Sequence, residues 1–202
     1  MKWEELLSLL QDEAIFRSSL MRLGSKPANA RRALVRWVQS GRLAQLRRSV
    51  YLVADPYRKK EPHPFAVANL LKPASYVSLQ SALAHHGCIP EHVPSVTSVT
   101  TGRPETLHTP IGTFFFRHLH KRFFFGYRAV TMPEGASVFL ATPEKALLDL
   151  IHLTPHGDTT PFLEELRLER GQTFDPQRLL KIARRMGSAR LLRAAQAVLR
   201  FL

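Results

Sequence analysis

AIFRSSLMRLGSKPANARRALVRWVQSGRLAQLRRSVYLVA, residues 14–54, is the stretch on which the reading of the fold turns. It carries Arg17, Arg22, Lys26, Arg31, Arg32, Arg36, Arg42, Arg47 and Arg48 and contains no Asp or Glu, in a chain whose net charge is +13. Ala30, Ala33, Leu34, Trp37 and Val38 recur at the spacing of a helix that buries one side. Ala28, Asn29, Arg32, Val35, Arg36 and Gln39 are left on the other side. Gly24 marks a turn before this helix, Ser25 is placed to accept from an unpaired N–H of its first turn, and Pro27 suits the first helical position because its missing donor has no partner there. Beyond Gly41, residues 43–47 and 50–53 read as two strands joined tightly at Arg48-Ser49. That tip lacks the Gly that two-residue hairpin turns favour, which leaves the turn type open.

Working outward, Trp3, Leu6, Leu7 and Leu10 predict an amphipathic first helix with Glu4 and Glu5 at its positive end. Phe16, Leu20 and Leu23 predict a short second helix capped by Ser18. Three helices and a hairpin in this order are the plan of a winged helix-turn-helix. In that plan the helix from Pro27 enters the major groove, where Asn pairs with adenine and Arg with guanine edges, and the basic hairpin tip meets phosphate or the minor groove. The DNA-binding set read from sequence is Arg17, Arg22, Ser25, Lys26, Asn29, Arg31, Arg32, Arg36, Arg42, Arg47 and Arg48.

After residue 54 the prolines and charges of 55–64 exclude regular structure. The expected organisation is a DNA-binding domain over 1–54, a linker over 55–64 and an α+β domain over 65–202. The second domain reads as helices over 65–71 and 79–86, the latter capped by Ser78 and closed by Gly87. Strands follow near 96–101, 107–109, 113–119, 124–130 and 138–141, and their short links predict a mostly antiparallel sheet. Thr142 caps a helix over 143–153, with Glu144 at its start and Ala146, Leu147, Leu150 and Ile151 on its buried side. Helices near 161–168, 176–186 and from Ser188 onward complete the chain. The last segment carries Arg178, Lys181, Arg184, Arg185, Arg190 and Arg193, again without an acid, and reads either as a second basic surface or as a solvated helical face.

The 202 residues and 45% hydrophobic content allow two small domains with cores. A pI near 10.7 points to a polyanion, and no apolar run approaches the ~20 residues of a spanning helix. Acids at positions 4 and 5, where a signal peptide is apolar, and a lone Cys88 predict a cytoplasmic protein without an internal disulfide.

Candidate chemistry is sparse. His85, His86, Cys88 and His92 are close in sequence, but adjacent helical side chains diverge by about 100°. His118 and His120 would share a strand face without a third ligand. Glu144-Lys145 sets a carboxylate beside an amine, again on diverging helix positions. No phosphate loop, nucleophile elbow or zinc-protease pattern occurs. The sequence therefore predicts no catalytic residue, no metal and no cofactor, and leaves a nucleic-acid-modifying enzyme as the minor alternative.

Tyr76-Val77-Ser78-Leu79-Gln80-Ser81-Ala82-Leu83-Ala84-His85-His86-Gly87, the strand 96–101, Gly112-Thr113-Phe114 and Ala141-Thr142-Pro143-Glu144-Lys145-Ala146-Leu147-Leu148-Asp149-Leu150 resemble the AbiEi-type antitoxins of abortive-infection toxin–antitoxin systems. Members of that family place a winged helix-turn-helix before such a domain. The resemblance implies a transcriptional autorepressor acting on double-stranded operator DNA with inverted repeats, bound as a homodimer. It also implies a type IV antitoxin that opposes a nucleotidyltransferase-like toxin without needing to contact it. Where family hairpins often read Arg-Gly-Val-Tyr, this chain has Arg48-Ser49-Val50-Tyr51. A stand-alone repressor whose second domain senses a ligand or dimerises is the alternative.

Overall fold

The structure is a computed structural model describing residues 1–23, 26–171, 173–200 and 202, with Arg22 and Leu23 by backbone only. The expected turn at Gly24 and cap at Ser25 lie outside the described residues.

Helix α1, Trp3–Leu10, is followed by strand β1, Ile15–Arg17, a 3-10 helix, Ser18–Leu23, helix α2, Pro27–Gln39, and strands β2, Leu43–Arg47, and β3, Val50–Val53. The strands form an antiparallel sheet in the order β1-β3-β2. The stripe read from sequence buries as expected, with Ala30, Ala33, Leu34 and Trp37 of α2 packed against Trp3, Leu6 and Leu10 of α1. The Trp3 and Trp37 rings meet edge to face with centroids 5.2 Å apart.

The predicted second helix is not an α-helix. Ile15-Phe16-Arg17 alternates in burial as a strand does, and Phe16 pairs with Tyr51 across the sheet. The remaining six residues wind as a 3-10 turn, the form short segments adopt when an α nucleus would be unfavourable.

The hairpin carries a bulge between Gln45 and Arg47. Ser49, at its tip, has a φ of 68°, a left-handed conformation that suits glycine better than serine.

The rest of the chain is α3 (Pro64–Leu71), β4 (Ser75–Val77), α4 (Leu79–His85), β5 (Val96–Thr100), β6 (Glu105–Thr109), β7 (Gly112–His118), a 3-10 turn (Lys121–Phe123), β8 (Tyr127–Thr131) and β9 (Ser137–Ala141). Helices α5 (Pro143–Leu153), α6 (Thr160–Glu165), α7 (Pro176–Met186) and α8 (Ala189–Val198) follow. Its six strands run β6-β7-β5-β4-β9-β8. The class is α+β, but the sheet is mixed: β5 lies parallel to β7 and β4 parallel to β9. Three of its five pairings are antiparallel, in keeping with the expected mostly antiparallel sheet, and the short links still allow β5 beside β7 because β6 is itself the return path between them, hydrogen-bonded to the outer edge of β7.

Helix α5 is buried on every side from Pro143 to Ile151, charged residues included. Sequence had assigned it a single buried stripe.

The segment 55–64 holds no helix or strand before Pro64, yet packing crosses it. Ala14, Leu46, Val50 and Leu52, from the three-stranded sheet and its approach, join the same apolar core as Val67, Leu71, Phe114 and Phe116. Among the described residues no helix is long and apolar enough to cross a membrane.

Candidate nucleic-acid interface

The outward side of α2 is polar and cationic because its other side is committed to the core. Lys26, Asn29, Arg31, Arg32 and Arg36 are exposed, and so is Arg48 at the hairpin tip. Between helix and hairpin runs a groove of about 490 Å³ lined by Pro27, Arg31, Val35, Gln45, Arg48 and Tyr51, among others. No acidic side chain lines it, so the guanidinium charges there remain available to an anion.

The other basic residues of the segment are deployed differently. Arg17 donates from Nη2 to the Leu70 carbonyl. Arg47 donates from Nη1 to the Leu71 carbonyl at 3.0 Å, and its Nη2 lies 3.1 Å from Glu105 Oε1. These two side chains, members of the DNA-binding set read from sequence, satisfy the last carbonyls of α3, where cations are favoured. Glu105 also accepts from Lys72 Nζ at 2.7 Å. That hydrogen bond first, and the Arg47 charge behind it, hold the Glu105 carboxyl below its ordinary range. Arg42 is turned to the opposite end of the hairpin, with its guanidinium carbon 5.6 Å from the Trp3 ring centroid and 5.9 Å from that of Tyr57. Of the Arg22 side chain and of Ser25 nothing is described.

The basic residues near the C-terminus divide as well. Arg190 bonds Asp158 at 2.7 Å and the Ile151 and Thr154 carbonyls at 3.0 and 3.1 Å, closing the C-terminal end of α5. Arg178 reaches Glu144 Oε1 at 3.4 Å. Lys181, Arg184, Arg185 and Arg193 are exposed, with the Arg185 guanidinium stacked 3.8 Å from the Phe125 ring centroid.

Beneath these surfaces lies a polar cluster that sequence reasoning missed. Asp149 Oδ2 accepts from Tyr76 Oη at 2.9 Å and from Ser78 Oγ at 2.8 Å. Lys145 Nζ pairs with Asp149 Oδ1 and donates to Tyr76 Oη at 2.9 Å. All four residues are completely buried. Burial pushes the Asp149 carboxyl up and the Lys145 amine down, and each side chain offsets this for the other by supplying charge and hydrogen bonds. Ser78 therefore spends its hydroxyl on Asp149 rather than capping α4, where it makes no side-chain cap bond.

Gly126 closes the cluster. A Cβ there would sit 2.9 Å from Lys145 Cγ, and its φ is 78°. A signal for the cluster did exist in the sequence: Lys145 and Asp149 stand at i and i+4 on a helix whose neighbours are nearly all apolar.

Glu144 and Lys145, adjacent in sequence, end in separate networks. Glu144 is also fully buried, and its Oε1 accepts from the Asp175 backbone N–H at 2.7 Å, tying α5 to the start of α7. Thr142 Oγ1 accepts from the Lys145 N–H at 3.4 Å, so Thr142 caps the helix start as expected, while the Glu144 carboxylate reaches away to α7.

The His85 and His86 rings stay edge to face, with centroids 5.3 Å apart. His86 Nε2 lies 2.9 Å from the Ala141 carbonyl, and burial lowers the pKa of this ring. His118 ends β7 with Nδ1 2.9 Å from the Gly102 carbonyl. His120 lies beyond the strand, its ring accepting from the Arg122 N–H at 3.3 Å. Cys88 is buried and in no disulfide.

No protein-family model matches the chain, and no curated protein matches it either.

Proposed function

We propose that α2 and the β2–β3 hairpin are the recognition helix and wing of a winged helix-turn-helix that binds double-stranded DNA. The observation that carries the reading is the acid-free face formed by Lys26, Asn29, Arg31, Arg32 and Arg36, continued across the groove by Arg48. The element order supports it: helix, strand, short turn helix, helix and hairpin, with β1 paired to the second hairpin strand. Arg17, Arg42 and Arg47 are left out of the contact set because they serve the fold.

The likeness of 76–87 and 141–150 to AbiEi-type antitoxins extends the proposal. The chain is read as the cytoplasmic autorepressor and antitoxin of a type IV toxin–antitoxin operon used in abortive infection and phage defence. Residues 1–54 read the operator, and residues 65–202 oppose a nucleotidyltransferase-like toxin. Two of the segments that carry the likeness, 76–87 and 141–150, meet in the buried cluster, where Tyr76 and Ser78 donate to Asp149. Exposed Lys181, Arg184, Arg185 and Arg193 are candidates for a second contact with nucleic acid.

One observation favours a second reading, a repressor that answers to a small apolar ligand. A groove of about 520 Å³ adjoins β1 and α3, lined mainly by the apolar Leu9, Ile15, Phe16, Leu20 and Leu70 and also by Glu13 and Arg17.

The test is a reporter driven by the chain's own promoter, together with a growth assay in cells expressing any nucleotidyltransferase-like reading frame found beside its gene, whose absence would itself favour the plain repressor. Repression and protection together are expected. Repression without protection moves the assignment to the plain repressor, and absence of both contradicts the proposal.

A further inference from the structure

The helical step of about 100° per residue sets Ala28, Arg32, Val35 and Gln39 within an arc of about 60° at the centre of the outward face of α2. Val35 is the one apolar side chain of real size on that line. It is 50% exposed and joins neither apolar core. Arg31, Arg32 and Arg36 surround it, all exposed, and it lines the groove with Arg31, Arg48 and Tyr51.

A β-branched residue is a poor choice for an exposed helical position, since it gives up rotamer freedom and here gains no packing. A protein partner covering Val35 would have to desolvate the three arginines around it, at a cost only acids could offset. A DNA duplex meets both demands together. Its phosphates and guanine edges take the guanidiniums, and its major groove offers one apolar group, the thymine C5 methyl.

Resting on the DNA-binding reading of α2, we propose that Val35 is a specificity determinant that packs on a thymine methyl group, so that each operator half-site carries thymine at the position facing it. Arg32, its neighbour on the same line, contacts an adjacent base pair, and the hairpin arginine Arg48 tracks the backbone.

The experiment begins by selecting duplexes from a randomised library with the full chain. Each thymine of the selected site is then replaced in turn by deoxyuridine, which lacks only the methyl group. One position per half-site should lose affinity about fourfold with the wild-type chain, the equivalent of one buried methyl group at ~0.8 kcal/mol. With Val35→Ala the same replacement should have no effect, while thermal melting holds at or slightly above that of wild type, alanine being the better helix former, and the salt dependence of binding is unchanged. A selected site in which no thymine is methyl-sensitive, or in which the loss persists in Val35→Ala, overturns the inference and leaves DNA binding standing. A library that yields no preferred sequence removes sequence-specific recognition by α2, and the role of Val35 with it.

Discussion

Arg47, at the end of the first hairpin strand, holds Glu105, at the start of β6, with Nη2 and Oε1 3.1 Å apart, while its other terminal nitrogen caps the Leu71 carbonyl. The hairpin is thereby fixed to the larger sheet through a residue next to the exposed Arg48. Both partners are partly exposed, 31% and 25%, so solvent screens the pair and its worth is modest. Glu105→Gln should cost about 1 kcal/mol at neutral pH, and Arg47→Ala somewhat more because the carbonyl cap is lost as well. The Glu105 carboxyl is held below its ordinary range. Its stabilisation is therefore present above the unfolded carboxylate value and lost as pH falls through the folded one. Chemical denaturation at two pH values checks this: the gap between wild type and Glu105→Gln should close in acid, and a gap that widens there contradicts the latch.

Ser49 occupies a φ of 68°, where a side chain crowds the backbone and glycine does not. Ser49→Gly should stabilise the chain by about 0.5 kcal/mol, the relief of strain being partly offset by glycine's greater freedom when unfolded. Destabilisation in a urea titration would mean that the Ser49 side chain contributes more to the tip than its backbone costs.

Lys145 and Asp149 stand or fall as a pair. Asp149→Leu alone leaves a buried ammonium without a counter-charge and should cost about 3–5 kcal/mol, whereas Lys145→Met with Asp149→Leu should recover part of that loss, the rest persisting because the Tyr76 and Ser78 hydroxyls lose their acceptor. A double-mutant cycle measured by denaturation decides it. Additive losses would show that the two side chains are stabilised independently.

Much of this architecture was legible in the sequence. The bounds of α2 and of both hairpin strands followed from apolar period and from Pro27 and Gly41, and α7 was read at 176–186, where it lies, because these signals are local. The three-residue strands β1 and β4 were not legible, since each is held in place by partners far along the chain. Arg17 and Arg47 looked like phosphate ligands because their carbonyl partners lie 53 and 24 residues away. The burial of Glu144, Lys145 and Asp149 was not legible, since only the packing of α5 on all sides produces it.

The division among the arginines can be read out on DNA. Asn29→Ala and Arg32→Ala should each weaken binding by about 1–3 kcal/mol and relax preference at particular base pairs. Arg48→Gln should weaken all duplexes alike. Arg17→Gln and Arg47→Gln should alter stability more than the salt dependence of binding. Titrations against a panel of operator variants check the set, and a uniform loss for Arg32→Ala would make it a phosphate contact.

The central claim is that α2 and the hairpin tip bind DNA through exposed cations, and affinity measured against salt concentration tests it most directly. With Lys26, Arg31, Arg32, Arg36 and Arg48 exposed, the log–log slope should be on the order of −3 to −5 for each bound copy, becoming shallower by roughly one for each arginine of the set changed to glutamine. A slope near zero, or one that Arg31→Gln, Arg32→Gln and Arg48→Gln together leave unchanged, would contradict it.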